Sequence, residues 1–122
     1  MKRQAGMEMV LGNIQEVKLE IFIPIENIDS LRQALADAGA GQVGKYDNCC
    51  AVMEVRGYWR PLPGANPFQG EVGKVETSLE AKVEVNCKRA LVNQTIQAIR
   101  AIHPYEEPVI NIIPLINHLF SE

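Results

Sequence analysis

Metal, disulfide and membrane chemistry each need residues that are scarce here. The chain has two histidines and three cysteines. Cys49 and Cys50 are adjacent, Cys87 is distant and no CxxC pair occurs, so a structural zinc site of the usual spacing is not indicated. An odd, uneven set of cysteines also argues against a disulfide framework and suits a reducing compartment. No apolar run approaches the ~20 residues that cross a bilayer, and the basic start Met1-Lys2-Arg3 leads into no apolar segment of signal length. A cytoplasmic protein with no membrane partner is expected. Lys and Arg number 12 against 15 Asp and Glu, for a net charge of −3, and they form no basic stripe. No nucleic-acid partner is therefore expected.

What is present suits one domain: 122 residues, 47% of them hydrophobic, are enough for one core and too few for two. Residues 1–15 show no sustained period and read as a loosely held leader. Val17, Leu19, Ile21 and Ile23 alternate with Lys18, Glu20 and Phe22, which predicts a strand ended by Pro24. Ile28, Leu31, Leu35 and Ala38 then fall at helical spacing, with Gly39 as the stop. A glycine-spaced turn, Gly39-x-Gly41-x-x-Gly44, precedes a second strand from Ala51 toward Trp59. The turn follows a helix and precedes a strand, the reverse of the dinucleotide-binding context, and stays open only as a backbone nest for an anion.

Arg60 to Gly70 holds three prolines and two glycines in eleven residues, a loop long enough to carry function in a small domain. A third strand is predicted over Ala81–Cys87. A second helix through Val92, Ile96 and Ile99 must end by Pro104, and a fourth strand spans Val109–Ile113. The tail, residues 116–122, is expected to pack a short helical turn on the body. An offset of 64 residues superposes Val17-Lys18-Leu19-Glu20 on Ala81-Lys82-Val83-Glu84, Ile28 on Val92 and Leu35 on Ile99. Two βαβ halves in this order predict an α+β, ferredoxin-like βαββαβ sandwich. Its four-stranded antiparallel sheet has the order 4-1-3-2, both helices lie on one face, and the domain spans residues 16–115.

The densest chemistry is His103-Pro104-Tyr105-Glu106-Glu107-Pro108. His103, Glu106 and Glu107 offer one nitrogen and up to four oxygens, a tentative set for a divalent metal ion. The competing interpretation has His103 capping the helix end and the glutamates pairing with cations across an interface. This segment and the one preceding the second strand are expected at the same end of the sheet on opposite edges, roughly 14 Å apart. Tyr46, Asp47 and Asn48 would then meet His103, Tyr105, Glu106 and Glu107 only across a subunit boundary. The uncovered edges predict a closed oligomer, most simply a homotrimer, with a dimer as the alternative. Asn66 and Phe68 of the proline-rich loop complete the candidate ligand site, although for Phe68 burial is the plainer expectation. A nucleophilic Cys49 or Cys50 would need His103 or His118 in reach, and no signature supports the pairing.

These motifs together resemble a known domain. The pieces are Tyr46-Asp47-x-Cys49, Arg60-Pro61-Leu62-x-Gly64-Ala65-Asn66-Pro67-Phe68-x-Gly70-x-Val72-Gly73-Lys74, and His103-Pro104-Tyr105-Glu106-Glu107-Pro108. The set looks like the domain inserted in bacterial members of the Ngg-interacting-factor-three-like family, found also as short stand-alone proteins of the YqfO type. The resemblance implies a fold similar to CutA and PII proteins, commonly trimeric through edge strands. Full-length members carry a dinuclear metal site in flanking halves that this sequence lacks, so their activity is not carried over. The resulting expectation is a small oligomeric binding or regulatory module, with clefts for a small molecule or ion at subunit boundaries, rather than an enzyme. The alternatives are a metal-assisted hydrolase using His103, Glu106 and Glu107, or a purely structural adaptor.

Overall fold

The computed structural model describes Gly6 and residues 12–120. The predicted leader lies mostly outside the described residues. Near its end, Ile14 packs against the core. In chain order come β1 (Glu16–Pro24), a 3-10 turn (Ile25–Asn27), α1 (Ile28–Ala38), β2 (Ala51–Trp59) and β3 (Glu76–Lys88). A second 3-10 turn (Arg89–Leu91), α2 (Val92–Ile102), β4 (Ile110–Leu115) and a last 3-10 turn (Asn117–Leu119) follow. The sheet order is β2-β3-β1-β4, with every neighbouring pair antiparallel. This is the ferredoxin-like α+β arrangement read from the sequence.

Period-two alternation decides which way the strands face. Val17, Leu19, Ile21 and Ile23 of β1 and Ala81, Val83, Val85 and Cys87 of β3 are all buried. They close a core with Leu31 and Leu35 of α1 and Ile99 of α2. Each buried aliphatic side chain contributes about 1.5–3 kcal/mol relative to exposure, so these two stripes, rather than helix propensity, hold the helices down. α1 ends where Gly39 turns left-handed at φ +92°, and the amides of Gly39 and Ala40 return to Ala36 O and Leu35 O at 3.0 Å. α2 ends differently. The His103 amide bonds to Ile99 O at 3.0 Å, and Pro104 has no amide with which to continue.

The sheet face away from the helices, which carries the even-numbered residues of β1 and β3 and the odd-numbered residues of β2 and β4, is open. Lys82 lies 3.3 Å from Glu20 and 3.6 Å from Glu84, and Lys18 lies 3.5 Å from Glu84, which makes the middle of this face a charge ladder. The carboxyl of Glu20 is held below its ordinary range, first by the Asn111 amide at 3.3 Å and also by Lys82. Toward Pro24 the face changes character, because the charges give way to Phe22, Gly57, Trp59 and Glu80.

Three expectations are corrected. β3 begins at Glu76 rather than Ala81, because its first residues pair with β2 beyond the end of β1. The described part of the tail, residues 116–120, leaves Ile116, Leu119 and Phe120 56%, 65% and 71% exposed rather than packed on the body. The segments before β2 and β4 also do not share an end of the sheet. Gly41 donates to Asn86 O at 2.8 Å, while Phe22 donates to Val109 O at 3.2 Å. Asn86 pairs with Lys18 near the start of β1, whereas Phe22 is near its finish. The reason is strand sense: β2 runs parallel to β1 and β4 antiparallel, so the two strands start at opposite ends.

Candidate binding cleft

Residues 60–75, which leave β2 at one edge of the sheet, fold back over the open face. Trp59 anchors the turn, its indole Nε1–H donating to Gln69 O at 3.1 Å, and the Gly73 amide closes the loop on Pro61 O at 2.8 Å. The loop reaches the segment that leads into β4 at the other edge. There the Asn66 amide donates to Glu106 Oε1 at 3.0 Å, and the Phe68 and Tyr105 rings lie 5.9 Å apart, tilted by 50°. Between the loop, the 103–108 segment and the sheet is a cleft of about 580 Å³, open on one side. Of the seven Phe, Tyr and Trp residues in the chain, five line it: Phe22, Tyr58, Trp59, Phe68 and Tyr105.

The polar groups of the 103–108 segment are largely committed. His103 Nδ1 accepts from the Tyr105 amide at 3.2 Å, and an amide can only donate, so the ring proton sits on Nε2, which donates to Phe22 O at 2.7 Å. Burial lowers the His103 pKa, outweighing the bond to Phe22 O and the nearby Glu80, which both raise it. Tyr105 donates its phenol proton to Glu80 Oε1 at 2.7 Å. Burial first, and then Glu80, push that phenol far above its ordinary value, so it stays protonated.

Glu80 is only 8% exposed, and it projects from β3 onto the open face beneath the loop. The space it occupies exists because residue 57 on the neighbouring strand is glycine. A Cβ there would clash with the Glu80 carboxyl, coming within 2.7 Å of its Cδ. Glu80 Oε2 has no donor among the described residues. Among the described residues every side-chain polar atom sealed from solvent does have a partner, so Oε2 opens to the cleft that Glu80 lines.

The structure thus joins Asn66, Phe68, His103, Tyr105, Glu106 and Glu107 within one chain. Phe68 is 53% exposed at the rim rather than buried, its ring tilted against that of Tyr105. Tyr46, Asp47 and Asn48 are not part of this cleft. They form a tight turn at the far end, where Val43 and Tyr46 exchange backbone bonds of 2.9 Å and Asn48 Nδ2 donates to Asp47 Oδ1 at 3.1 Å.

Both His103 nitrogens are occupied, and among the described residues no group of three His, Cys, Asp or Glu is placed to hold a metal. In the glycine-spaced turn the amides of Gly39, Ala40, Gly41 and Val43 meet carbonyls. Cys87 is buried against Thr95, and burial raises its thiol pKa. Sequence reading missed Glu80, Phe22, Gly57 and Trp59. A glycine inside a strand pattern is the signal that could have found the Glu80 seat, since it marks a close approach.

No family model matches the chain. Its sequence is 39% identical over 98 residues to the GTP cyclohydrolase 1 type 2 homolog of Bacillus subtilis, covering 80% of this chain and 26% of that protein. It is 37% identical over 112 residues to the protein of the same name from Mycobacterium tuberculosis, covering 92% of this chain and 30% of the other. Among solved structures, a Bacillus cereus protein related to NIF3 superposes with a TM-score of 0.75 at 32% identity, over 85% of this chain and 26% of that one. The PII-like protein CutA from Nostoc superposes with a TM-score of 0.64 at 16% identity over 86% of both chains, a likeness of fold alone. The family likeness read from the sequence motifs is borne out, and the chain spans between a quarter and a third of the length of the curated relatives it matches.

Proposed function

From the premise of a chain similar over most of its length to one segment of NIF3-related proteins, we propose that it is a small binding or regulatory module rather than a catalyst. Its ligand site is the cleft roofed by residues 60–75. One observation carries this: loops from opposite edges of the sheet meet, through Asn66 and Glu106, over an aromatic-walled hollow of about 580 Å³, within the size range of small-molecule sites. The Asn66 amide, His103 and the Tyr105 hydroxyl are held in fixed bonds, which suits recognition. A nucleophile or base would need a free partner, and His103 has none to spare. The relatives' name concerns proteins more than three times as long, so no step of cyclohydrolase chemistry is assigned here.

Self-association belongs to the same proposal. Val52 and Met53 on β2, and Ile112 and Ile113 on β4, are exposed along the two outer strands, and unpaired apolar edges call for cover. Trp59, the single tryptophan, lines the cleft and reports on it. A fragment library screened by Trp59 emission and thermal shift is expected to give members that change both. Silence across the library, with the protein folded, would sink the binding proposal.

A further inference from the structure

The geometry points to the chemical class of the ligand: a planar organic cation, of amidinium or guanidinium type, seated with its N–H edge on Glu80 and its flat body against the aromatic walls. This rests on the cleft being a binding site, and it adds the charge and shape of what binds. Glu80 is more than nine-tenths buried, yet its Oε2 has no donor among the described residues and opens to the cleft. A carboxylate so placed in an apolar hollow is costly to leave unpaired. Its Oε1 takes only the Tyr105 proton and keeps a lone pair, so the carboxylate can receive a forked pair of N–H donors.

Three features narrow the class. Glu106 and Glu107 at the rim, with Glu80, set three carboxylates against the one guanidinium of Arg60 among the lining residues, so the hollow favours positive charge. A bare metal ion does not fit, because no three ligating side chains converge among the described residues. Five aromatic rings in the lining, with Tyr105 bonded to Glu80, instead suit a delocalised cation, whose flat face stacks while its edge hydrogen-bonds. Gly57 is part of the same device, since any side chain there would push the Glu80 carboxyl from its seat.

The test uses the full chain, with benzamidine as probe and benzoate, its anion of matching shape, as the control. Benzamidine is expected to change Trp59 emission saturably and to raise the melting temperature, while benzoate at equal concentration does neither. Glu80→Gln, which keeps an acceptor for Tyr105, is expected to weaken benzamidine at least about tenfold, the loss of a charge-assisted bond. Equal or tighter benzoate binding to the unaltered protein, or undiminished benzamidine binding to folded Glu80→Gln, would overturn the assignment. Silence of both probes would overturn it as well. The cleft proposal stands if other fragments still move Trp59 and falls only if none does, so the two failures are distinguishable.

Discussion

His103 is bonded through both ring nitrogens, to a carbonyl on one side and an amide on the other, and this fixes how it responds to acid. Protonation places a second donor on Nδ1, facing the Tyr105 amide, and turns an attraction into a repulsion. Burial lowers its pKa from the ordinary value of 6.5, so the folded state binds protons less readily than the unfolded chain. The stability this confers is present above the ordinary histidine range and is lost as pH falls through the lowered value. His103→Gln is therefore expected to flatten the fall of melting temperature between about pH 7 and pH 5. Long-range nitrogen-proton NMR should show the Nε2–H form at neutral pH, and a titration at or above the ordinary histidine value would contradict the burial argument. Gly41 gives a second test at this scale. At φ +78° its missing Cβ would lie 2.6 Å from Cys49 O, whereas a Cβ on Gly44, at φ +58°, would meet nothing. Both alanine variants store left-handed strain, but only Gly41→Ala also forces backbone apart. Denaturant unfolding should place Gly41→Ala at roughly 2–3 kcal/mol and Gly44→Ala near 1 kcal/mol of destabilisation. Equal costs would show that the loop gives way.

At the scale of elements, the chain is one β-turn-α unit used twice with different endings. Helices Ile28–Ala38 and Val92–Ile102, with the 3-10 turns before them, lie 64 residues apart in register, as do the buried pairs Leu19 and Val83, and Leu35 and Ile99. Hydrophobic period and a glycine or proline stop are local signals, which is why both units were legible in the sequence. Strand sense is not local. The segments before β2 and β4 lie at opposite ends because β4 pairs antiparallel with β1 while β2, joined to it through the antiparallel β3, runs parallel to it, and this follows only from the pairing of all four strands. The course of residues 60–75 was equally hidden, since it hangs on single bonds from Trp59, Gly73 and Asn66, and composition marks a proline-rich loop without saying where it lands. Glu106 is the landing point. Glu106→Ala is expected to speed hydrogen exchange at the Asn66 amide and to broaden the Phe68 resonances, while Glu106→Gln, which keeps an acceptor, restores most of the protection. An Asn66 amide whose exchange ignores both changes would mean that the loop is held over the sheet by its apolar contacts alone.

For the whole molecule, the question is whether one chain suffices for the site. Tyr46, Asp47 and Asn48 lie at the far end of the sheet, whereas Asn66, Phe68, Tyr105 and Glu106 converge within a single chain, on the face of the sheet opposite the helices. The proposed assembly edge and the proposed ligand cleft are different surfaces: Val52 on β2 points to the helix side at the outer edge, 42% exposed, whereas Gly57 and Trp59 on the same strand line the cleft. A charge at the edge should separate the two properties, because a lysine on an outer strand opposes edge-to-edge pairing. Sedimentation of the unaltered chain at micromolar concentration is expected to show an oligomer, and Val52→Lys to shift it toward the 13.6 kDa monomer. The monomeric variant should keep its Trp59 response to benzamidine within about threefold of the oligomer, since no lining residue has been changed. A response that disappears with the oligomer would return the site to the subunit boundary, and an unaltered chain that sediments as a monomer would remove self-association from the proposal.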